Sequence, residues 1–107
     1  MTQFTNLFDP IKVGNVELKN RMVMLAIGTG YPEPDGTVGD CFINFCVERA
    51  RGGVGLIITP FAPFDMAIPV IPGLYDDRFI PGARRLTDAV HAYGTKIAPQ
   101  FLGQYFW

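Results

Sequence analysis

Three short apolar runs occur along the chain, and each predicts a β-strand. They are RMVMLAI at residues 21–27, VGLIIT at residues 54–59 and TKIAPQFL at residues 95–102. Polar residues do not alternate regularly with apolar ones in these runs, a pattern typical of strands buried on both faces. Upstream, IKVGNVELK at residues 11–19 predicts a hairpin, because strand-forming residues flank a Gly-Asn turn pair.

Between the strands, apolar residues recur at the spacing of a helix. The first helix is predicted over residues 40–51, with an inner face formed by Phe42, Phe45, Cys46 and Ala50. The second is predicted to start near Pro81 and to end at Gly94, with an inner face formed by Leu86, Ala89, Val90 and Tyr93. Residues 60–77 contain four prolines and are expected to be a long loop. Such loops are often functional, although a surface lid without chemistry explains this one equally well.

The order of elements, a hairpin followed by β, α, β, α, β, predicts a sheet of parallel strands with right-handed helical connections. Two α/β fold classes cover both faces of such a sheet: an open doubly wound sheet and a TIM (β/α)8 barrel. In a barrel the hairpin would plug the bottom, and the chemistry would gather at the carboxyl ends of the strands. Those ends are residues 26–29, 58–60 and 99–101.

Composition limits the classes of partner more than the classes of fold. The formal net charge is -1, so nothing favours nucleic acid or an anionic membrane as a partner. No apolar run is long enough to span a bilayer, and the first residues lack the order of a secretory signal. Cys41 and Cys46 should lie on different sides of the first helix and stay unpaired, which suits a reducing cytoplasm. No spacing of cysteines or histidines predicts a metal site.

Gln100 is the sharpest chemical signal, because it places an amide in the middle of the third apolar run. A buried amide needs hydrogen-bond partners, since leaving them unmade costs about 1–3 kcal/mol. Its carbonyl accepts and its NH2 group donates, which suits the edge of a pyrimidine-like ring. Spacing alone favours a simpler interpretation, in which Gln100 bonds to neighbouring backbone or to a buried water.

The other candidate residues carry less weight. Gly28, Thr29 and Gly30 would leave backbone N–H groups open beside a flat ring, but an ordinary turn explains them better. The Gly-x-Gly-x-x-Gly and Walker patterns are missing. His91 is the only histidine and is expected to be solvated on the outer side of the second helix. The aromatic tail could line a pocket or simply pack; it comprises Tyr105, Phe106 and Trp107.

Three segments together resemble one enzyme family. LFDPIKVGNVELKNRMVM at residues 7–24 is similar to the opening of the old yellow enzyme family of flavin oxidoreductases. DGTVGD and ERARGGVGLIIT, between residues 35 and 59, are similar to its first helix and second strand. IPGARRLTDAVHAYGTKIAPQ at residues 80–100 is similar to its second helix and third strand. The Ala-Ile-Gly-Thr segment looks closer to the 2-enoate and 2,4-dienoyl-CoA reductase branch than to the yeast-type enzymes.

The resemblance implies a TIM barrel that binds FMN at the carboxyl ends of its strands. It implies reduction of FMN by NAD(P)H and then reduction of an activated C=C bond in an enoate, an enone or an enoyl-CoA thioester. Larger members of that branch also carry FAD and an iron–sulfur cluster, in regions that residues 1–107 do not include. By position in the motif, the implied FMN-binding residues are Leu25, Ala26, Ile27, Gly28, Thr59, Pro60 and Gln100.

Some positions depart from the family pattern. Gly28 stands where many members have Thr or Cys, and Ile27 stands where Met is common. After Gln100 the usual histidine and Gly-Arg pair are replaced by FLGQYFW. No catalytic residue of the family is expected within the chain.

A TIM barrel needs about 250 residues, and three strands are predicted here where it has eight. We expect residues 1–107 to be the N-terminal part of a flavin-binding barrel in a longer protein. Two unpaired sheet edges predict that the isolated chain aggregates and stays colourless. The alternatives are a non-catalytic barrel fragment, a small protein that binds a partner chain completing the barrel, and an open flavodoxin-like sheet.

Overall fold

A hairpin followed by alternating strands and helices forms the described part of the chain, residues 5–65 and 70–102 of a computed structural model. In chain order, the elements are α1 (Thr5–Phe8), β1 (Ile11–Val13), β2 (Val16–Leu18), β3 (Val23–Met24), α2 (Asp40–Arg51), β4 (Leu56–Phe61), a 3-10 helix (Asp77–Phe79), α3 (Ile80–His91) and β5 (Lys96–Phe101). The predicted order is confirmed, while α1 and the 3-10 helix have no counterpart in the sequence prediction.

The strands form two sheets. β1 and β2 pair antiparallel, and Gly14 in their turn has a φ of 60°, the left-handed conformation that such a tight turn requires. β3, β4 and β5 form a parallel sheet in which strands adjacent in sequence are adjacent in space. Val23 of β3 lies opposite Leu56 of β4, and Pro60 of β4 lies opposite Gln100 of β5.

Both long helices cover the same face of the parallel sheet. One buried cluster joins side chains of α2, β4 and α3, namely Phe42, Cys46, Ala50, Ile57, Phe61, Leu86 and Val90. Each large apolar side chain buried in this way contributes about 1.5–3 kcal/mol. A doubly wound sheet carries helices on both faces. The one-sided helical layer therefore favours the barrel over the open sheet.

Side-chain hydrogen bonds link the segments at the amino ends of the parallel strands. The buried Asn20 side chain donates to the Gly53 oxygen at 2.6 Å and accepts from the Met22 amide at 3.0 Å. The buried Thr95 hydroxyl donates to the Val54 oxygen at 2.7 Å. These bonds join the segments that lead into β3, β4 and β5, which suits the stabilising role of this end in a barrel.

The first apolar run is less strand-like and less buried than its pattern predicts. Only Val23–Met24 of residues 21–27 pairs with β4. Val23, Leu25 and Ile27 are exposed. The prediction of a strand buried on both faces is wrong here, because no element in residues 5–65 and 70–102 covers that face of the sheet.

The predicted bounds of the first helix are confirmed, whereas the second helix ends earlier than predicted and one residue of its predicted inner face is exposed. α2 has the predicted bounds, and α3 begins one residue before Pro81. Tyr93 is exposed because α3 ends at His91, and Tyr93 lies in the turn beyond it. Phe45 is half-buried and packs against the buried cluster, as predicted, and the Arg49 guanidinium lies 3.8 Å from the centroid of its ring.

The predicted loop over residues 60–77 carries more structure than its prolines suggest. β4 continues to Phe61, and Ala62 forms a parallel bridge with Gly73. The 3-10 helix begins at Asp77, and the Asp76 side chain caps it by accepting from the Arg78 amide. Residues 66–69 lie outside the described residues.

Candidate functional site

The parallel sheet has one covered face and one open face. Ile57, Thr59 and Phe61 are 0%, 2% and 4% exposed beneath the helices. Successive residues of a strand point to opposite faces, so Pro60 lies on the other face. The exposure of residues 23–27 alternates in the same way, and Leu25 and Ile27 are 72% and 56% exposed. The open face at the carboxyl ends is therefore apolar and accessible.

Gln100 lies at the carboxyl end of β5, opposite Pro60. Its neighbour Pro99 lines a small cavity beneath α3, so strand alternation puts the Gln100 side chain on the open face. The side chain is exposed, and the prediction of a buried amide is wrong for the described chain. The reason is the same as for Ile27: none of the described elements covers this face. The amide is thus available to a bound molecule.

Ala26 and Thr59 lie on the helix-facing side of the sheet. Met24 packs against the buried cluster, and alternation puts Ala26 on the same side. Thr59 is buried, and its Oγ1 has no hydrogen-bond partner within the described residues. It lines a cavity of about 90 Å³ whose other walls are mostly apolar, including Leu86 and Ile97. Only the backbone of Ala26 and Thr59 can face a molecule on the open side.

The loop after β3 brings Gly28 to the rim of the open face. A Cβ atom at Gly28 would meet only the Ile71 side chain, at 3.7 Å, which is ordinary contact. Gly30 has a φ of 72°, and its N–H donates to the Val70 oxygen at 3.0 Å. The expectation that Gly28, Thr29 and Gly30 all leave their N–H groups open is therefore wrong for Gly30. Its N–H joins this loop to the segment after β4.

A cavity of about 260 Å³, here called the polar cavity, lies between the loop after β3 and the segment after β4. The Gly73 N–H donates to the Gly36 oxygen at 3.0 Å and holds the two walls together. The Tyr75 hydroxyl donates to Asp65 Oδ1 at 3.1 Å and accepts from Arg78 Nη2 at 3.2 Å. Other lining residues are Asp35, Phe64 and Ile71.

Hydrogen bonds and partial burial shift the pKa values of two side chains that line the polar cavity. The Thr37 hydroxyl and amide donate to Asp35 Oδ1 at 2.6 and 3.0 Å, and these bonds lower the pKa of the Asp35 carboxyl. Partial burial raises the pKa of Tyr75, and its bond to Asp65 raises that pKa further. The length of segment 60–77 was the only sequence signal for this cavity, and no individual lining residue was predicted.

The remaining candidates lie away from these carboxyl ends. His91 is exposed in the last turn of α3, as predicted. Cys41 is exposed and Cys46 is buried; both are free, and burial raises the pKa of the Cys46 thiol to about 11. The tail predictions lie outside the described residues; they concern Tyr105, Phe106 and Trp107.

Two further properties concern only residues 5–65 and 70–102. Within these ranges, no three side chains of His, Cys, Asp or Glu come together in a way that could hold a metal ion. The helices found there are all too short or too polar to cross a bilayer.

Comparison with known proteins identifies relatives over nearly the whole chain. A sequence profile described as the NADH:flavin oxidoreductase / NADH oxidase family matches residues 6–104. The chain is 46% identical over 96 residues to a metal reductase of Desulforamulus reducens, covering 88% of this chain and 14% of that protein. It is 40% identical over 103 residues to a cinnamate reductase of Clostridium sporogenes, covering 89% of this chain and 16% of that protein.

Solved structures share the fold. The Old Yellow Enzyme from Pichia sp. AKU4542 matches with a TM-score of 0.79 and 34% identity, covering 90% of this chain and 26% of that one. The chain thus spans 14% and 16% of the two curated relatives and 26% of the solved structure. The parallel strands follow one another in chain order, and the helices cover one face of their sheet. Together with the likeness to this solved structure, these features confirm the first part of a TIM barrel and reject the open flavodoxin-like sheet.

Proposed function

The chain belongs to the NADH:flavin oxidoreductase / NADH oxidase family, and from this premise we propose that residues 1–107 are the N-terminal part of its flavin-binding barrel. The whole protein is an FMN-dependent NAD(P)H oxidoreductase. Its reaction is the reduction of an activated C=C bond in an enoate, an enone or an enoyl-CoA thioester. A relative named cinnamate reductase, 40% identical to this chain, supports that reaction class, because cinnamate is an enoate.

The residues on the open face fit FMN. The isoalloxazine ring is flat, and its pyrimidine end offers N–H and C=O groups side by side. The exposed side chains of Leu25 and Ile27 offer apolar contact to such a ring. Gln100 supplies both a donor and an acceptor at the same edge of the sheet. Gly28 adds no side chain that would obstruct a ring at this rim.

The proposed contacts divide into side-chain and backbone contacts. Leu25, Ile27 and Pro60 would pack against the ring, and the Gln100 amide would bind its pyrimidine end. Gly28 contributes its backbone at the rim. Ala26 and Thr59 contribute only backbone, since their side chains lie beneath the helices. Bound FMN would supply two-electron chemistry, since it can take hydride from NAD(P)H and give it to one carbon of the C=C bond, while the other carbon takes a proton.

The proposal extends to partners and location. The substrate is a small unsaturated carbonyl compound. The outer edges of β3 and β5 need further strands, from the same chain or from a complementing chain, because unpaired apolar edges associate non-specifically. The two free cysteines suit a reducing compartment, so we place the protein in the cytoplasm.

One observation carries the proposal: Gln100, to which the family resemblance assigns flavin binding, lies opposite Pro60 at the carboxyl end of a parallel sheet. The test is anaerobic purification of the full-length protein, identification of its released flavin, and NADH oxidation with and without 4-phenylbut-3-en-2-one. We expect bound FMN and NADH oxidation that the enone accelerates. A protein without FMN, or one whose NADH oxidation ignores every activated alkene offered, contradicts the proposal.

A second candidate is a non-catalytic fragment that binds a complementing chain. The exposure of Val23 and Phe101 on the two outer strands, and of Leu25 just after β3, favours it. Native mass spectrometry of the protein purified from its own cells separates the two candidates. A single flavin-bearing chain supports the enzyme, and a flavin-free complex of two different chains supports the fragment.

A further inference from the structure

The polar cavity lies beside the proposed flavin site and is separate from it. Ile71 lines the polar cavity, and its Cγ2 is the atom nearest to a Cβ position at Gly28 on the rim. Ala62, which directly follows β4, lines the polar cavity as well. The polar cavity therefore begins about one side chain beyond the rim. A molecule lying over the open face could extend one end into it.

The size of the polar cavity suits part of a ligand. Its volume is about 260 Å³. Pockets that hold a whole small ligand usually measure about 300–1,000 Å³. The polar cavity is therefore better matched to one substituted ring or one side branch than to a complete cofactor.

Arg78 is a positioned cation in the wall of the polar cavity. Its guanidinium donates to the Tyr75 hydroxyl and lies 4.7 Å from the centroid of the buried Phe79 ring. The ion pairs formed within residues 5–65 and 70–102 are Arg51 with Glu48 and Arg85 with Asp40, so no carboxylate there neutralises Arg78 directly. A guanidinium has five N–H donors. Donors of Arg78 therefore remain for a ligand.

Asp65 supplies the complementary acceptor. One of its oxygens accepts from the Tyr75 hydroxyl, at 3.1 Å. A carboxylate can accept several hydrogen bonds, so Asp65 can also accept one from a ligand. Tyr75 bonds to both Asp65 and Arg78 and thus holds the acceptor and the donor on the same wall.

The balance of charge selects the chemistry of the ligand. Two carboxylates, Asp35 and Asp65, line the polar cavity with one guanidinium, so a free anion meets repulsion. A cation is attracted by the two carboxylates, but it is repelled by Arg78 and leaves the free donors of that guanidinium without an acceptor. An uncharged group with both a donor and an acceptor, such as a phenol or an amide, can bond to Asp65 and Arg78 without either penalty.

We propose that the polar cavity is a substrate subsite, which takes an uncharged hydroxyl- or amide-bearing end of the substrate remote from its C=C bond. Arg78 donates a hydrogen bond to the oxygen of that end, and Asp65 accepts a hydrogen bond from its hydroxyl or amide group. This inference rests on the proposed function for the identity of the substrate. The subsite makes the protein prefer activated alkenes with a polar distal group over purely apolar ones.

The test measures binding without turnover. Calorimetry on the full-length protein compares two saturated ketones, 4-phenylbutan-2-one and 4-(4-hydroxyphenyl)butan-2-one, which need no NADH. We expect the hydroxylated ketone to bind about tenfold more tightly, because hydrogen bonds to charged groups strengthen binding by about this factor. In Arg78→Gln the preference should fall to about twofold or less. Asp65→Asn should lower it by a smaller factor.

Arg84→Gln is the matched control, because Arg84 is exposed on α3 and does not line the polar cavity. It should keep the full preference. Equal affinities in the unaltered protein, or a preference that survives Arg78→Gln, would overturn the subsite. Failure of the proposed function would appear separately, as an absence of enone-dependent NADH oxidation with the ketone preference intact.

Discussion

The two ends of the parallel sheet differ in how their polar groups are used. At the amino end, Asn20 and Thr95 are buried and bonded to the backbone of neighbouring segments. At the carboxyl end, the Gln100 side chain is exposed on the open face, while Thr59 Oγ1 has no partner among the described residues but lies beneath the helices, away from that face. Saturated hydrogen bonds hold segments together, whereas available groups can bind a ligand.

The difference indicates that the amino end of the sheet stabilises the fold and that the carboxyl end carries the binding site. In TIM barrels the amino end of the strands stabilises the domain and the carboxyl end carries the site. The same division is visible in these three strands alone. Paired substitutions, one at each end of the sheet, test whether the two ends differ in this way.

The largest effect is expected from glycine substitutions. A Cβ atom at Gly55 would lie 2.5 Å from Asn20 Oδ1 and 2.7 Å from the Asn20 backbone oxygen. Gly55→Ala should cost about 3 kcal/mol in unfolding free energy, because backbone must move to relieve the overlap. Gly28→Ala at the other end should change it by less than about 0.5 kcal/mol. Urea unfolding of the cofactor-free, full-length protein measures both, and similar losses would remove the distinction between the ends.

The next effect concerns two buried threonines. Thr95→Val removes the donor to the Val54 oxygen and should cost about 1–2 kcal/mol. Thr59→Val removes a hydroxyl without a described partner and should be neutral or slightly stabilising. Thermal unfolding compares the two variants. A loss at Thr59 as large as that at Thr95 would show that the Thr59 hydroxyl is bonded after all.

Gln100→Leu should act on cofactor binding and leave stability almost unchanged. We expect FMN to bind about tenfold more weakly, since the amide provides bonds worth about 1–1.5 kcal/mol to the ring. Fluorescence titration of the cofactor-free protein measures this affinity. Asn44→Leu is the control, because its amide is exposed on the outer side of α2. Equal FMN affinities in the two variants would exclude the assigned role of Gln100.

The smallest effect is a pH dependence at the carboxyl end. The Thr37 bonds lower the folded-state pKa of Asp35 from 3.8, so these bonds add stability at pH values above that value. The contribution is lost as the pH falls through the lowered pKa. Asp35→Asn should therefore show a shallower loss of stability than the unaltered protein as the pH falls below the ordinary Asp pKa of 3.8. Parallel curves for the two proteins would contradict the assignment.

Local chemistry made the hairpin and helices predictable. The Gly-Asn pair sets the β1–β2 turn, and Gly52 with Gly53 ends α2 where the pattern placed its end. A proline near the start of α3 marked its first turn. These signals lie within a few residues of the structures that they determine, so the sequence alone reveals them.

Orientation at the site was not predictable, because the apolar runs carry no alternation. Thr59 ends the run VGLIIT and Pro60 follows it directly, yet the side chain of Thr59 lies beneath the helices and Pro60 lies on the open face. The exposure of Ile27 and Gln100 depends on which elements cover the sheet, and the residues around them do not predict that covering. The polar cavity depends on the Gly73 to Gly36 bond between distant loops, which is likewise invisible in either segment.

The most direct test of the division between the ends is a crystal structure of the full-length protein with FMN. We expect the pyrimidine edge of the flavin within about 2.7–3.2 Å of the Gln100 amide. The ring should contact Ile27 and Pro60, with no flavin contact at Asn20 or Thr95. A ring bound elsewhere, or a Gln100 side chain turned beneath the helices, would contradict the assignment of chemistry to this end.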